Sequence, residues 1–166
     1  MILPVLQYPD PRLARVSLPI HEITPEIREL AENMVETMYA RDGIGLAAPQ
    51  VGSAIRLIVM DVSGPDRRED LRILVNPALT VSGPEIESDE GCLSITDYRS
   101  TVCRSGNVKV EATDLDGNPV SFEAEDLLAI CAQHECDHLD GVLFIDHISR
   151  LKRGMFDRKI KKKSIK

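Results

Sequence analysis

The 166-residue sequence predicts an α+β fold: short, mostly antiparallel β-sheets packed around a central helix, with another helix near each end. Three observations predict it. Ile27, Leu30, Met34 and Met38 recur at helical spacing. Val108–Ala112 and Val120–Glu123 alternate at period two around Asp116-Gly117, a strong hairpin signal. From Ala124 to His138 the chain lacks Gly and Pro and sets Leu127, Ile130 and Cys131 on one helical arc.

Hydrophobic residues make up 43% of the chain, enough at this length for one domain with a proper core. Residues 1–150 read as that domain and residues 151–166 as a basic helical tail. Charge divides the same way. Residues 1–149 hold 11 Lys and Arg against 26 Asp and Glu; residues 150–166 hold nine against one. Met1-Ile2-Leu3-Pro4 shows no charged leader and no long apolar run, so neither a signal peptide nor a membrane span is expected. Four irregularly spaced cysteines suggest a reducing cytoplasm, not a disulfide scaffold.

In chain order, Thr24-Pro25-Glu26 predicts a helix start, with Thr as cap and Pro at the first helical position. The Met stripe that follows reads as core. Asp42-Gly43-Ile44-Gly45 breaks the helix, and without G-x-G-x-x-G or a following Lys-Ser/Thr it is no nucleotide loop. Ile55–Asp61 and Leu71–Val75 read as strands on either side of the polar loop Ser63-Gly64-Pro65-Asp66. The hairpin comes next, then the central helix, with acids in its first turn and Gly141 at its end.

That helix carries Gln133-His134-Glu135-Cys136-Asp137-His138, an H-E-x-x-H pattern. Residues four apart share a helix face, so both imidazoles can reach one divalent ion. Glu135 lies about 100° further round, placed to act on a water at that ion without ligating it. The arc is apolar except for the two histidines, so the site is expected to open from the core. A catalytic site needs a third protein ligand and a free position for water. Cys131 points the same way one turn earlier, as pocket wall. Cys136 is about 200° from His134. Cys103 lies in a strand-like stretch and is expected to pack as a small hydrophobe. Cys92 remains, in Glu90-Gly91-Cys92-Leu93-Ser94, where Gly91 admits a close approach. The expected metal ligands are therefore Cys92, His134 and His138, with Glu135 as general base.

Gly43–Gln50, Glu90–Ser94 and Gln133–His138 resemble, in order and approximate spacing, the three signature motifs of bacterial peptide deformylases. The resemblance runs from Tyr8-Pro9-Asp10-Pro11-Arg12-Leu13 to about Lys152. It implies removal of the N-formyl group from nascent formyl-methionyl peptides, with release of formate. It also implies that the backbone N–H of Leu93 and the side chain of Gln50 bind the oxyanion. Ile44, Leu127, Ile130 and Cys131 would line the methionine pocket, Gly45 would bond an extended peptide, and Arg99 would touch its backbone. Thiolate plus two imidazoles suits Zn(II); the resemblance instead puts Fe(II) first, with Ni(II) or Co(II) as robust replacements. For the tail, one reading is a solvated helix docked by Leu151, Met155 and Phe156. The other is a polyanion contact, which the resemblance sharpens to docking on the ribosome. In one place the pattern departs: Thr96 stands where bacterial members commonly have Pro. Two competing readings are weaker. A zincin-type peptidase expects a third ligand downstream, where Asp146 and His147 lack the longer pattern. A non-catalytic metal-containing ribosome binder has no use for Glu135.

Overall fold

A computed structural model describes residues 1–165; Lys166, the last residue of the basic tail, lies outside them. Helix α1 spans Pro25–Ala40. Its start follows the cap chemistry: the Thr24 hydroxyl accepts the Ile27 N–H at 3.3 Å and Pro25 opens the first turn. Strands β1 (Gly45–Ala47), β2 (Leu57–Met60), β3 (Arg72–Cys92), β4 (Ile95–Thr113) and β5 (Pro119–Glu125) form one antiparallel sheet in that order. Helix α2 (Asp126–Leu139) and helix α3 (Arg150–Ile165) complete the chain. Among the described residues no helix is long and apolar enough to cross a membrane.

Two apolar layers sandwich the sheet. Met34, Met38 and Ala31 of α1 pack with Leu46, Leu57, Val59 and Val75 on one face. Ala129, Ala132, Cys136 and Leu139 of α2 pack with Ala47, Ile58, Met60, Leu74, Val108 and Val110 on the other. All four residues of β2 are therefore buried, because alternate side chains enter opposite layers.

The antiparallel α+β class is as expected, but two strands are far longer than the short ones read from the sequence. β3 has 21 residues and β4 has 19. The buried face of β4 includes Ser100 and Arg104 beside Val102, Val108 and Val110, so polar residues interrupt its apolar period. Register shifts between Val75 and Ala78, Ser82 and Glu85, and Glu90 and Cys92 further hide the alternation. Cys103 is exposed on β4, not packed as a small hydrophobe, because its neighbours Val102 and Arg104 take the inward positions. β5 runs straight into α2, so Ala124 and Glu125 end a strand instead of opening the helix.

The tail docks differently from expectation. Phe156 is 2% exposed, between Tyr8 and Tyr98 at ring-centroid distances of 5.4 and 4.5 Å, while Leu151 is 71% exposed and Met155 also faces out. Ile160, one turn beyond Phe156, packs against the same cluster. Arg153 secures the junction by donating to the Tyr8 hydroxyl and to Asp146. In urea denaturation, Phe156→Ala should cost about 3 kcal/mol of stability and Leu151→Ala almost none. Equal losses would mean that both residues dock the helix.

Candidate active site

Helix α2 crosses the sheet with one face toward the closed end of the β3–β4 hairpin. His134 and His138 lie one turn apart on that face, with ring centroids 5.1 Å apart. Cys92 ends β3, and the turn residues Leu93 and Ser94 return the chain to Ile95. One ligating atom from each of Cys92, His134 and His138 lies within 4.8 Å of the others. Cys92 Sγ is 3.4 Å from His138 Nε2. A thiolate and two imidazoles in this arrangement fit one first-row divalent ion. His147 stands apart, 2.9 Å from Asp137 Oδ2.

Glu135 is almost fully buried. Its Oε1 lies 3.9 Å from His134 Nε2, and its Oε2 has no hydrogen-bond partner. Burial pushes its carboxyl up to about 7, against the opposing charges of His134 and Arg104. Gly45 is what lets this side chain reach the site. A Cβ there would stand 2.9 Å from Cys131 Sγ and from Glu135 Cγ and Cδ.

Gln50 sits in a short 3-10 turn, Ala48–Val51, and is buried. Its Oε1 accepts the Ala47 N–H at 2.9 Å; its Nε2 donates to Ser94 Oγ at 3.1 Å and toward Cys92 Sγ at 3.5 Å. Ile44, Gly45, Gln50, Cys92, Leu93, Arg99, Leu127, Ile130, Cys131, His134 and Glu135 all line one groove of about 940 Å³. The α2 arc therefore faces a solvent-open groove and does not open from the core: Leu127, at its end, is 48% exposed. Arg99 is held at the rim by Asp89, through Oδ2 at 3.2 Å and the carbonyl at 2.8 Å. Gly91 makes room for that arginine, since a Cβ would meet its guanidinium at 2.8 Å.

The structure adds residues that sequence reasoning gave no role. His134 Nδ1 donates to Glu90 Oε1 at 2.9 Å, which turns Nε2 toward Cys92 and Glu135. Arg104 forks onto Glu90 at 2.7 and 2.8 Å and reaches Asp137 at 2.7 Å. Burial works against the Glu90 carboxylate, but hydrogen bonds from Arg104 and His134 prevail and hold it at about 2. Burial likewise disfavours a charged His134, yet the bonds to Cys92 and Glu90 raise it to about 10, while burial drives His138 well below its ordinary value. No local signal marks Arg104, because its inward position shows only once the facing of β4 is known; there, a guanidinium requires a buried partner.

Comparison with known proteins agrees. A family model described as polypeptide deformylase matches residues 2–154. A peptide deformylase of Psychrobacter arcticus is 47% identical over 162 residues, covering 97% of this chain and 87% of that protein. The crystal structure of a peptide deformylase from Legionella pneumophila superposes with a TM-score of 0.92 at 41% identity, over 99% of this chain and 96% of that one. One from Thermotoga maritima gives 0.84 at 36% identity, over 90% and 99%.

The Glu135 environment makes a pH-dependent prediction for the metal-stripped protein. Its carboxyl titrates near 4.5 when unfolded and about 7 when folded, so between those values the folded state binds more protons and loses stability as pH rises. Glu135→Gln should remove that penalty. Its stability advantage should grow from pH 4.5 to 7 by about 3 kcal/mol and then level off. A difference independent of pH in denaturation curves would show that burial does not raise this group.

Proposed function

The chain belongs to the polypeptide deformylase family and is a hydrolase that takes the N-formyl group off newly made proteins; we propose how its own residues divide that work. Cys92, His134 and His138 would hold one divalent ion. When bound, that ion supplies Lewis acidity that makes water nucleophilic near neutral pH. The observation that carries the reading is the placing of Glu135: buried, with Oε2 unpartnered, beside three converging ligand atoms.

Glu135 accepts a proton from the attacking water as the new C–O bond forms at the formyl carbon. It then delivers that proton to the amine nitrogen as the C–N bond breaks, leaving formate and a free amino terminus. Its unpartnered Oε2 leaves the carboxylate free to take that proton and give it back. The Leu93 N–H and the Gln50 side-chain amide stabilise the charge that develops on the formyl oxygen. Ile44, Leu127, Ile130 and Cys131 take the methionine side chain, a flexible thioether against apolar wall. Gly45 bonds the extended peptide through its backbone, and Arg99 contacts that backbone from the rim.

Fe(II) is the proposed cellular metal, on the family resemblance; Zn(II), Ni(II) or Co(II) can take the same donors in a purified sample. Residues 1–150 form the catalytic unit, working in the cytoplasm. Residues 151–166 form a basic tail for docking on the ribosome, a reading supported by its lysines and by the outward-facing Leu151 and Met155.

Formate release from formyl-Met-Ala-Ser under anaerobic conditions, with metal analysis of the same sample, tests the catalytic reading. Glu135→Ala should keep the metal and lose about 10³-fold in turnover. Metal loss in that variant, or persistent turnover, would remove Glu135 from its role. In air the enzyme as isolated should lose activity and the Ni(II) form should keep it; equal persistence of both counts against iron. Reversing the charges of Lys159, Lys162 and Lys163 should weaken co-sedimentation with ribosomes at low salt, and unchanged binding would refute the tail's part.

A further inference from the structure

We propose that the segment Val5–Tyr8 positions the two oxyanion donors, and that Gln7, held by Thr96, is the side chain through which it acts. The inference rests on the assignment of the Leu93 N–H and Gln50 as those donors. Three successive residues of this segment tie to the donor elements. The Leu6 N–H donates to the Gln50 carbonyl at 2.7 Å, Gln7 Nε2 to the Leu93 carbonyl at 2.8 Å, and the Tyr8 N–H to the Ser94 carbonyl at 2.8 Å. Gln50 and Leu93 come from separate parts of the fold, a 3-10 turn after β1 and the β3–β4 turn. The segment bridges them.

The Leu93–Ser94 turn needs such a brace. It closes the hairpin with two residues, and the direction of the Leu93 N–H depends on dihedrals that no ladder hydrogen bond beyond the Cys92–Ile95 pair restrains. Anchoring both turn carbonyls removes that freedom. Gln7 supplies one anchor, and its own orientation is set at both ends: Oε1 accepts the Thr96 hydroxyl at 2.7 Å while Nε2 faces Leu93. A flipped amide would set oxygen against the Leu93 carbonyl, so only one arrangement satisfies all three groups. Without the Thr96 hydroxyl, an exposed Gln7 side chain is free to swing into solvent.

Gln7 and Thr96 both line the groove. A peptide lying there shields their bond from water and strengthens it at the moment the oxyanion forms. Gln7 and Thr96 are positioning residues: they act through Leu93 and touch no reacting atom.

Steady-state kinetics on formyl-Met-Ala-Ser with the metal-loaded enzyme test this, using Thr96→Val, Gln7→Met, their double variant and Thr96→Ser. A role in the transition state lowers kcat and leaves KM nearly unchanged. Thr96→Val should lose about 3- to 10-fold in kcat, the scale of one modest hydrogen bond. The double variant should be no slower than Gln7→Met alone, and Thr96→Ser should recover most of the loss. Thermal melts should be nearly unchanged, as both side chains are exposed. Gln50→Leu, checked for folding by its melt, separates the two layers of the argument. If it loses kcat by orders of magnitude while Thr96→Val and Gln7→Met keep full kcat, or if those two change only KM, the positioning role is overturned and the donor assignment stands. If Gln50→Leu keeps full kcat, the donor assignment fails and this inference fails with it.

Discussion

A buried guanidinium joins the two halves of the site. Arg104 of β4 grips Glu90 of β3 with both arms and reaches Asp137 of α2, so hairpin and helix meet at a fixed separation. Glu90, two residues from Cys92 along the same strand, passes the constraint on to His134. Such a pair adds little net stability over a well-packed apolar replacement, but losing one partner strands a charge in the interior. Its value here is geometric. It sets the thiol of one element against the imidazoles of another.

The two buried glutamates next to this centre are driven in opposite directions. Glu90 is surrounded by donors and stays ionised; Glu135, without a partner on Oε2, is raised by the same low-dielectric surroundings. In the proposed reaction carboxyls pushed apart in this way would take different roles, Glu90 orienting His134 and Glu135 moving the proton. Gly45 makes the second possible, because the sheet must present no side chain where Glu135 crosses β1.

An aromatic seam carries the tail's packing toward the same place. Phe156 lies against Tyr8 and Tyr98, Tyr98 stacks on Phe144 at 6.1 Å, and Phe144 stacks on His134 at 6.2 Å. The C-terminal helix is therefore part of the wall behind the groove, although its outer face is basic and exposed. The N-terminal segment enters this seam at Tyr8, just after the residues that brace Gln50 and Leu93.

Much of this was legible because the informative features are local. A cap at Thr24, a Met stripe, an Asp-Gly turn and an i, i+4 histidine pair each need only a few residues of context. The same holds for Cys92, singled out once the other cysteines were set aside. The long β3–β4 hairpin, the inward Arg104, the exposed Cys103 and the choice of Phe156 over Leu151 and Met155 were not legible. Each depends on which face of an element meets a distant neighbour, and polar residues at inward positions mask that choice. Identity and spacing along the chain therefore single out the thiol, the two imidazoles and the carboxyl that the fold brings together. Folding settles their separation, their burial and their proton affinities, since these arise between residues such as Glu90, Arg104 and His134 that are far apart in the chain or on different elements.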